Sequence, residues 1–93
     1  MRVTYTKHAI IKMRERGLTP GVIEEVLLGD SERFTNTLHE TMIAVKRGNG
    51  KPVVVAYRLD GETMLVITVF SPKNINKLVN RRVLRGRWKP WSR

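Results

Sequence analysis

His8, Lys12, Arg14 and Arg16 lie within one short run near the start of the chain. Histidine titrates near neutrality and can lend or take a proton, while lysine and arginine stabilise negative charge building up on phosphorus. His8 and Lys12 are one helical turn apart, so both can reach a single phosphate if the run is helical. The plainer alternative is a solvated helix face, in which Glu15 neutralises a neighbour and His8 buttresses the layer beneath. A second group lies near the C-terminus, where Arg81, Arg82, Arg85, Arg87, Lys89 and Arg93 are interleaved with Trp88 and Trp91. Cations neutralise phosphates, and indoles stack on unpaired bases at about 1–3 kcal/mol each. That mixture suits single-stranded RNA better than a duplex groove. A tail whose tryptophans dock on the core is the competing reading. Arg47, Lys51, Tyr57 and Arg58 fall on or beside an expected hairpin, with Tyr57 either stacking a base or filling the core. Thr68 and Ser71 are weaker candidates. His39 reads as a surface or structural residue, and two histidines among scattered acids make no recognised metal spacing. No metal and no cofactor are expected.

The elements that must position these groups follow from spacing. Thr6 can cap a helix and Gly17 can end it in the left-handed region. On the wheel between them, Ala9, Ile10 and Met13 share one face, with His8, Lys12, Glu15 and Arg16 opposite. Thr19-Pro20 opens a second helix, Val22, Ile23, Val26 and Leu27 give its apolar side, and Gly29-Asp30 closes it. The short link predicts a compact helical hairpin. The period then changes to alternation. Strands are expected over 33–38, 40–47, 52–59 and 64–70, with Gly48-Asn49-Gly50 and Asp60-Gly61 as turns. Whether 33–38 stands alone or belongs to one long bent strand is left open. Met1 to Tyr5 reads as a brief strand or an ordered lead-in. Asn74 to Leu84 reads as a third helix, and the stretch from Gly86 onward as a tail that is loose unless bound. The fold class is α+β: an N-terminal helical hairpin on a three- to four-stranded antiparallel sheet, plus a C-terminal helix and a basic tail. The domain plan is one α+β domain over 1–85 and a basic, tryptophan-bearing tail over 86–93.

Charge sets further bounds. The chain of 93 residues carries a formal net charge of +10, and the last third holds most of it. Residues 1–62 hold ten Lys/Arg against all eight Asp/Glu, whereas residues 63–93 hold eight Lys/Arg and no acid. Such a field favours a polyanion or an acidic protein. There is no cysteine, which excludes disulfides and thiolate metal sites. No apolar run approaches the roughly 20 residues of a membrane span, so a soluble, cytoplasmic protein is expected. Phosphate loops, nucleophile elbows and paired carboxylates are absent from the sequence, which disfavours the enzyme classes built on them.

His8-Ala9, Met13, Glu15-Arg16-Gly17, Val26-Leu27, Val54-Val55-Ala56-Tyr57 and Val66-Ile67-Thr68-Val69 together resemble domain-of-unknown-function family 4258. The likeness spans residues 4–72; its helix motif is fairly specific and its strand motifs are generic. Met13 and Arg14 stand in the reverse of the family's usual order. Phe70 stands where the family has a hydroxyl-bearing aromatic, which weakens any role for a tyrosine at the end of the last strand. The family is similar in element order to the RelE/ParE-type toxins, several of which cut messenger RNA without a metal and are paired with antitoxins. The resemblance therefore implies a RelE-like, metal-independent endoribonuclease of a toxin–antitoxin pair. In it His8 is acid or base, and Lys12 and Arg16 hold the phosphate. Arg14, Arg47, Arg81, Arg82, Arg85, Arg87, Trp88, Lys89 and Trp91 bind the nucleic acid. The implied partners are RNA, ribosome-bound messenger RNA included, and an acidic antitoxin. A non-catalytic nucleic-acid-binding or protein-interaction module is the alternative, because fold alone does not fix function.

Overall fold

Helix α1 (Lys7–Arg16) begins where Thr6 turns its hydroxyl to two tasks. Thr6 Oγ1 accepts the Ala9 amide at 3.0 Å and donates to the Ile67 carbonyl at 3.0 Å. The cap thus pins the helix start to the sheet as well as satisfying a free amide. At the other end Gly17 takes φ 66°, and the Leu18 amide reaches back to the Met13 carbonyl at 2.8 Å. This is a Schellman stop, with Leu18 buried beside it. Helix α2 (Pro20–Leu28) has Thr19 as its cap and Pro20 in its first turn, as the sequence predicts.

The computed structural model describes residues 2–48 and 50–91. Met1, Asn49, Ser92 and Arg93, which fall in the expected lead-in, turn and tail, lie outside the described residues. Six strands, β1 (Arg2–Tyr5), β2 (Glu32–Asn36), β3 (Thr41–Lys46), β4 (Val53–Asp60), β5 (Thr63–Phe70) and β6 (Trp88–Pro90), form one sheet in the order β1-β5-β4-β3-β2-β6. The β1–β5 pair is parallel and every other pair is antiparallel. The α+β class holds, but the sheet has six strands and is mixed, where three or four antiparallel ones were expected. The two additional strands are edge pieces of four and three residues, too short to show a period of their own. Residues 32–36 do form a separate strand, set apart from β3 by a turn in which Glu40 takes φ 51°.

Both faces of the sheet are covered. Alternation along β4 sends Val53, Val55 and Tyr57 to one face and Val54 and Ala56 to the other. The first face packs with Ala9 and Met13 of α1 and Ile23, Val26 and Leu27 of α2. The second packs with Ile75 and Val79 of α3 (Ile75–Leu84) and with Trp88. The two N-terminal helices depart from the expected hairpin: α1 is seated on β5 and β1, and α2 on β3 and β4. A wide apolar sheet offers each helix more surface to bury than the other helix does. Ile10 is 40% exposed, so the buried stripe of α1 reduces to Ala9 and Met13.

The tail is a structural element. Strand β6 pairs with β2 through Phe34↔Pro90, Thr35↔Lys89 and Asn36↔Trp88. Thr37 donates its amide to the Arg87 carbonyl at 2.9 Å, and the Trp91 amide reaches the Arg33 carbonyl at 2.9 Å. The Trp88 indole is 4% exposed, lies 5.6 Å from the Phe34 ring and has the Arg82 guanidinium 5.9 Å from its centroid. The expectation of a loose tail is overturned, because burying one large indole against Phe34 outweighs freedom over a few residues. Lys89 and Pro90 blunt the edge that β6 presents.

Two stability predictions follow from this packing. Trp88→Ala should cost about 3–5 kcal/mol in urea unfolding, whereas Trp91→Ala at an exposed position should cost under about 1 kcal/mol. A second test uses Tyr5, whose buried hydroxyl has no hydrogen-bond partner among the described residues. Burial first, and then the Glu24 carboxylate, hold the Tyr5 phenol above its usual range around 10.0. The folded state therefore disfavours the phenolate, so stability present below the unfolded value is lost as pH rises through the folded one. Tyr5→Phe should leave neutral-pH stability unchanged or slightly higher, and should flatten the loss of stability above about pH 10, read by denaturation at stepped pH.

Candidate nucleic-acid interface

Helix α1 splits the group that sequence places together. His8, Lys12 and Arg16 lie on one exposed or half-exposed flank, and Arg14 lies around the helix from them. Lys12 Nζ pairs with Glu15 at 3.3 Å, so part of its charge is already answered. The Arg16 carbonyl accepts from Lys51 Nζ, which gives the last turn of α1 a cation of the sign its dipole favours. Arg14 instead lines a cavity of about 320 Å³ with Tyr5, Ile10 and Pro20. None of His8, Lys12 and Arg16 lines any of five surface cavities of about 280 to about 610 Å³. The α1 flank is an open surface of imidazole, ammonium and guanidinium.

The opposite face of the sheet carries a second and denser group. Asn74 caps α3, its Oδ1 accepting the Lys77 amide at 3.0 Å. The outward side of α3 then presents Asn76, Lys77, Asn80, Arg81, Leu84 and Arg85 around an open groove of about 610 Å³. Primary amides both donate and accept, guanidinium and ammonium only donate, and no acid occurs in α3. Leu84 is 86% exposed in the midst of these polar groups. Asn76, Lys77 and Asn80 were missed by the sequence reading. An acid-free run with three asparagines between 74 and 80 is the signal that could have found them.

Several expected binding residues prove to be struts. Arg47 grips Glu32 with two nitrogens, at 2.5 and 2.9 Å, and donates to Asn76 Oδ1 at 2.6 Å. Arg82 packs over Trp88, and Arg82 and Arg87 are each half-buried. Trp88 is core. Arg81, Arg85, Lys89 and Trp91 remain exposed. Tyr57 is 3% exposed and belongs to the core, while Arg58 faces solvent. Ser71 is tied to the Pro52 carbonyl at 2.5 Å, and His39 sits exposed in the β2–β3 turn. Arg33, which nothing in the sequence reading singled out, closes α2: its Nη2 donates to the carbonyls of Leu27 at 2.6 Å and of Val26 and Gly29 at 3.3 Å.

The α1 and α3 groups sit on opposite faces, and the β3–β4 end of the sheet joins them. There Lys51 touches the C-terminus of α1, and Arg47 touches the first turn of α3. Arg16, Lys51 and Lys77 therefore mark a basic rim around one end of the sheet. Lys46 on the same end is answered by Glu25 at 3.1 Å. Among the described residues no cluster of three His, Cys, Asp or Glu side chains is placed to hold a metal, and no helix is long and apolar enough to cross a membrane.

No curated protein and no solved structure matches the chain. A family model does match, over residues 5–71, from the last residue of β1 to the residue after β5. That span takes in α1, α2 and the meander and leaves α3 and β6 outside it. The chain belongs to the family described as Domain of unknown function (DUF4258).

Proposed function

We propose that the chain binds single-stranded RNA through the outer face of α3 and the basic rim beside it. The observation that supports this is the acid-free, amide-and-cation surface of Asn76, Lys77, Asn80, Arg81 and Arg85. Lys77, Arg81 and Arg85 neutralise successive phosphates, and the asparagine amides meet base edges with both a donor and an acceptor. Leu84 suits the face of an unpaired base, which a duplex would keep stacked inside. A cytoplasmic setting fits such a ligand. Anisotropy with a labelled single-stranded RNA tests this reading. Lys77→Glu with Arg81→Glu should weaken binding at least tenfold near 50 mM salt, and lower the log–log salt slope by about 1.4 if two phosphate contacts are lost. Unchanged affinity and slope would remove α3 from the interface.

A second reading adds chemistry, and the exposed flank of His8, Lys12 and Arg16 favours it. In a RelE-like, metal-independent endoribonuclease, His8 takes the 2′-hydroxyl proton as the 2′-oxygen attacks the adjacent phosphorus. The 5′-oxygen leaves with a proton from a general acid, and a 2′,3′-cyclic phosphate remains. Lys12 and Arg16 meet the charge that develops on the phosphoryl oxygens. An acidic antitoxin is the partner that this reading brings with it. The check is cleavage of the same RNA in chelator. His8→Ala should slow it by about 10²–10⁴-fold while binding is retained. Cutting that survives this change would place the chemistry elsewhere, and a wild-type chain that binds without cutting would leave the binding reading alone.

A further inference from the structure

Helix α2 ends at Leu28, and past its end the α1/α2 face of the sheet stays open. Leu28, Arg33, Met42, Tyr57, Leu59 and Trp91 line a groove there of about 440 Å³. Its rim is apolar and wet: Leu28 is 59% exposed, Leu59 49% and Trp91 44%. Three large apolar groups around one depression are more than scattered surface leucines, and mark a place where another surface sits. The wall also holds a cation that the fold leaves half used. Arg33 Nη2 is spent on the carbonyls that end α2, and the guanidinium lies 5.8 Å from the Tyr57 ring centroid. Its other terminal nitrogen, Nη1, is buried without a hydrogen-bond partner among the described residues. A buried charged donor left unpaired is costly, and a carboxylate is the acceptor that answers a guanidinium best.

We propose that this groove receives an acidic, amphipathic segment of a partner protein, with apolar side chains on Leu28, Leu59 and Trp91 and a carboxylate on Arg33. Charge complementarity selects that occupant. A second copy of this chain brings its own net charge of +10 against the first. An RNA strand finds one partly spent cation among apolar walls here, while the cations that suit it line α3 on the other side of the sheet. The inference is independent of the RNA reading, and its test reports on a separate site.

The probe is a synthetic helical peptide with leucine at i, i+3 and i+7 and glutamate between, titrated into the full-length isotope-labelled chain. Trp91 and Trp88 give separate indole signals, one at the groove and one in the core. The leucine–glutamate peptide should shift Trp91, Leu28 and Leu59 and leave Trp88 and α3 in place. Exchanging its glutamates for lysine, or its leucines for serine, should weaken binding at least tenfold. Arg33→Met should do the same. Because Arg33 also closes α2, Leu59→Glu at an exposed position supplies a second variant that keeps the fold and should lose binding equally.

The proposal is overturned if the serine peptide binds as tightly, or if the shifts fall on α3. Affinity that ignores both variants overturns it too, as does a still Trp91 signal at about 1 mM peptide. Displacement of the peptide by single-stranded RNA would make nucleic acid the occupant. Trp91 shifts that grow with protein concentration alone would make it a second copy.

Discussion

Strand β4 is the constraint on which the rest depends. From Val53 to Tyr57 every side chain is buried, none more than 9% exposed. Because side chains alternate, a strand that is apolar at successive positions must be covered on both faces. One layer of helices cannot do that. The chain places α1 and α2 over Val53, Val55 and Tyr57 and carries α3 to the other side over Val54 and Ala56. Burial therefore decides that the two candidate RNA surfaces end up on opposite faces of the sheet, before any ligand is considered.

That same economy governs the cations. With eighteen Lys and Arg against eight acids, most cations have no carboxylate to pair with, and several are turned to backbone and aromatic partners. Arg33 satisfies three carbonyls at the end of α2, Lys51 the last turn of α1, and Arg82 the face of Trp88. Each of these supplies a donor to a group that would otherwise face a helix terminus or an indole alone. What remains exposed is gathered on α3, on the α1 flank and at the β3–β4 rim. The net charge is thus a poor guide to the size of a binding surface, because part of it is structural.

Local signals were legible where one residue has one job. Thr6 and Gly17 bound α1, Thr19 and Pro20 open α2, and the Asp60-Gly61 turn joins β4 to β5, all as the sequence predicts. What escaped was decided by distant partners. Strand β1 exists because β5 offers it a parallel edge, and β6 because Phe34 offers Trp88 a place to bury. The roles of Arg33, Arg47 and Arg82 depend on what lies across the sheet, which no spacing along the chain records. The α1 group illustrates the same limit. Helical geometry puts His8, Lys12 and Arg16 on one flank as expected, but whether a cleft forms above them depends on neighbours that α1 does not specify.

The two outer strands have a consequence for how the molecule comes into being. Both close a sheet edge laid down by residues far away in the chain: Arg2 waits for Thr63, and Thr35 for Lys89, 54 positions later. During vectorial synthesis the hairpin core can pair as it emerges, while β2 exposes a bare row of amides and the Phe34 ring until β6 is made. Closing long loops is slow, and an unpaired strand edge in that interval can be captured by another chain. The short C-terminal strand therefore acts as a seal on a nascent sheet, and the positive charge spread through residues 73–89 keeps neighbouring copies apart until the seal is in place.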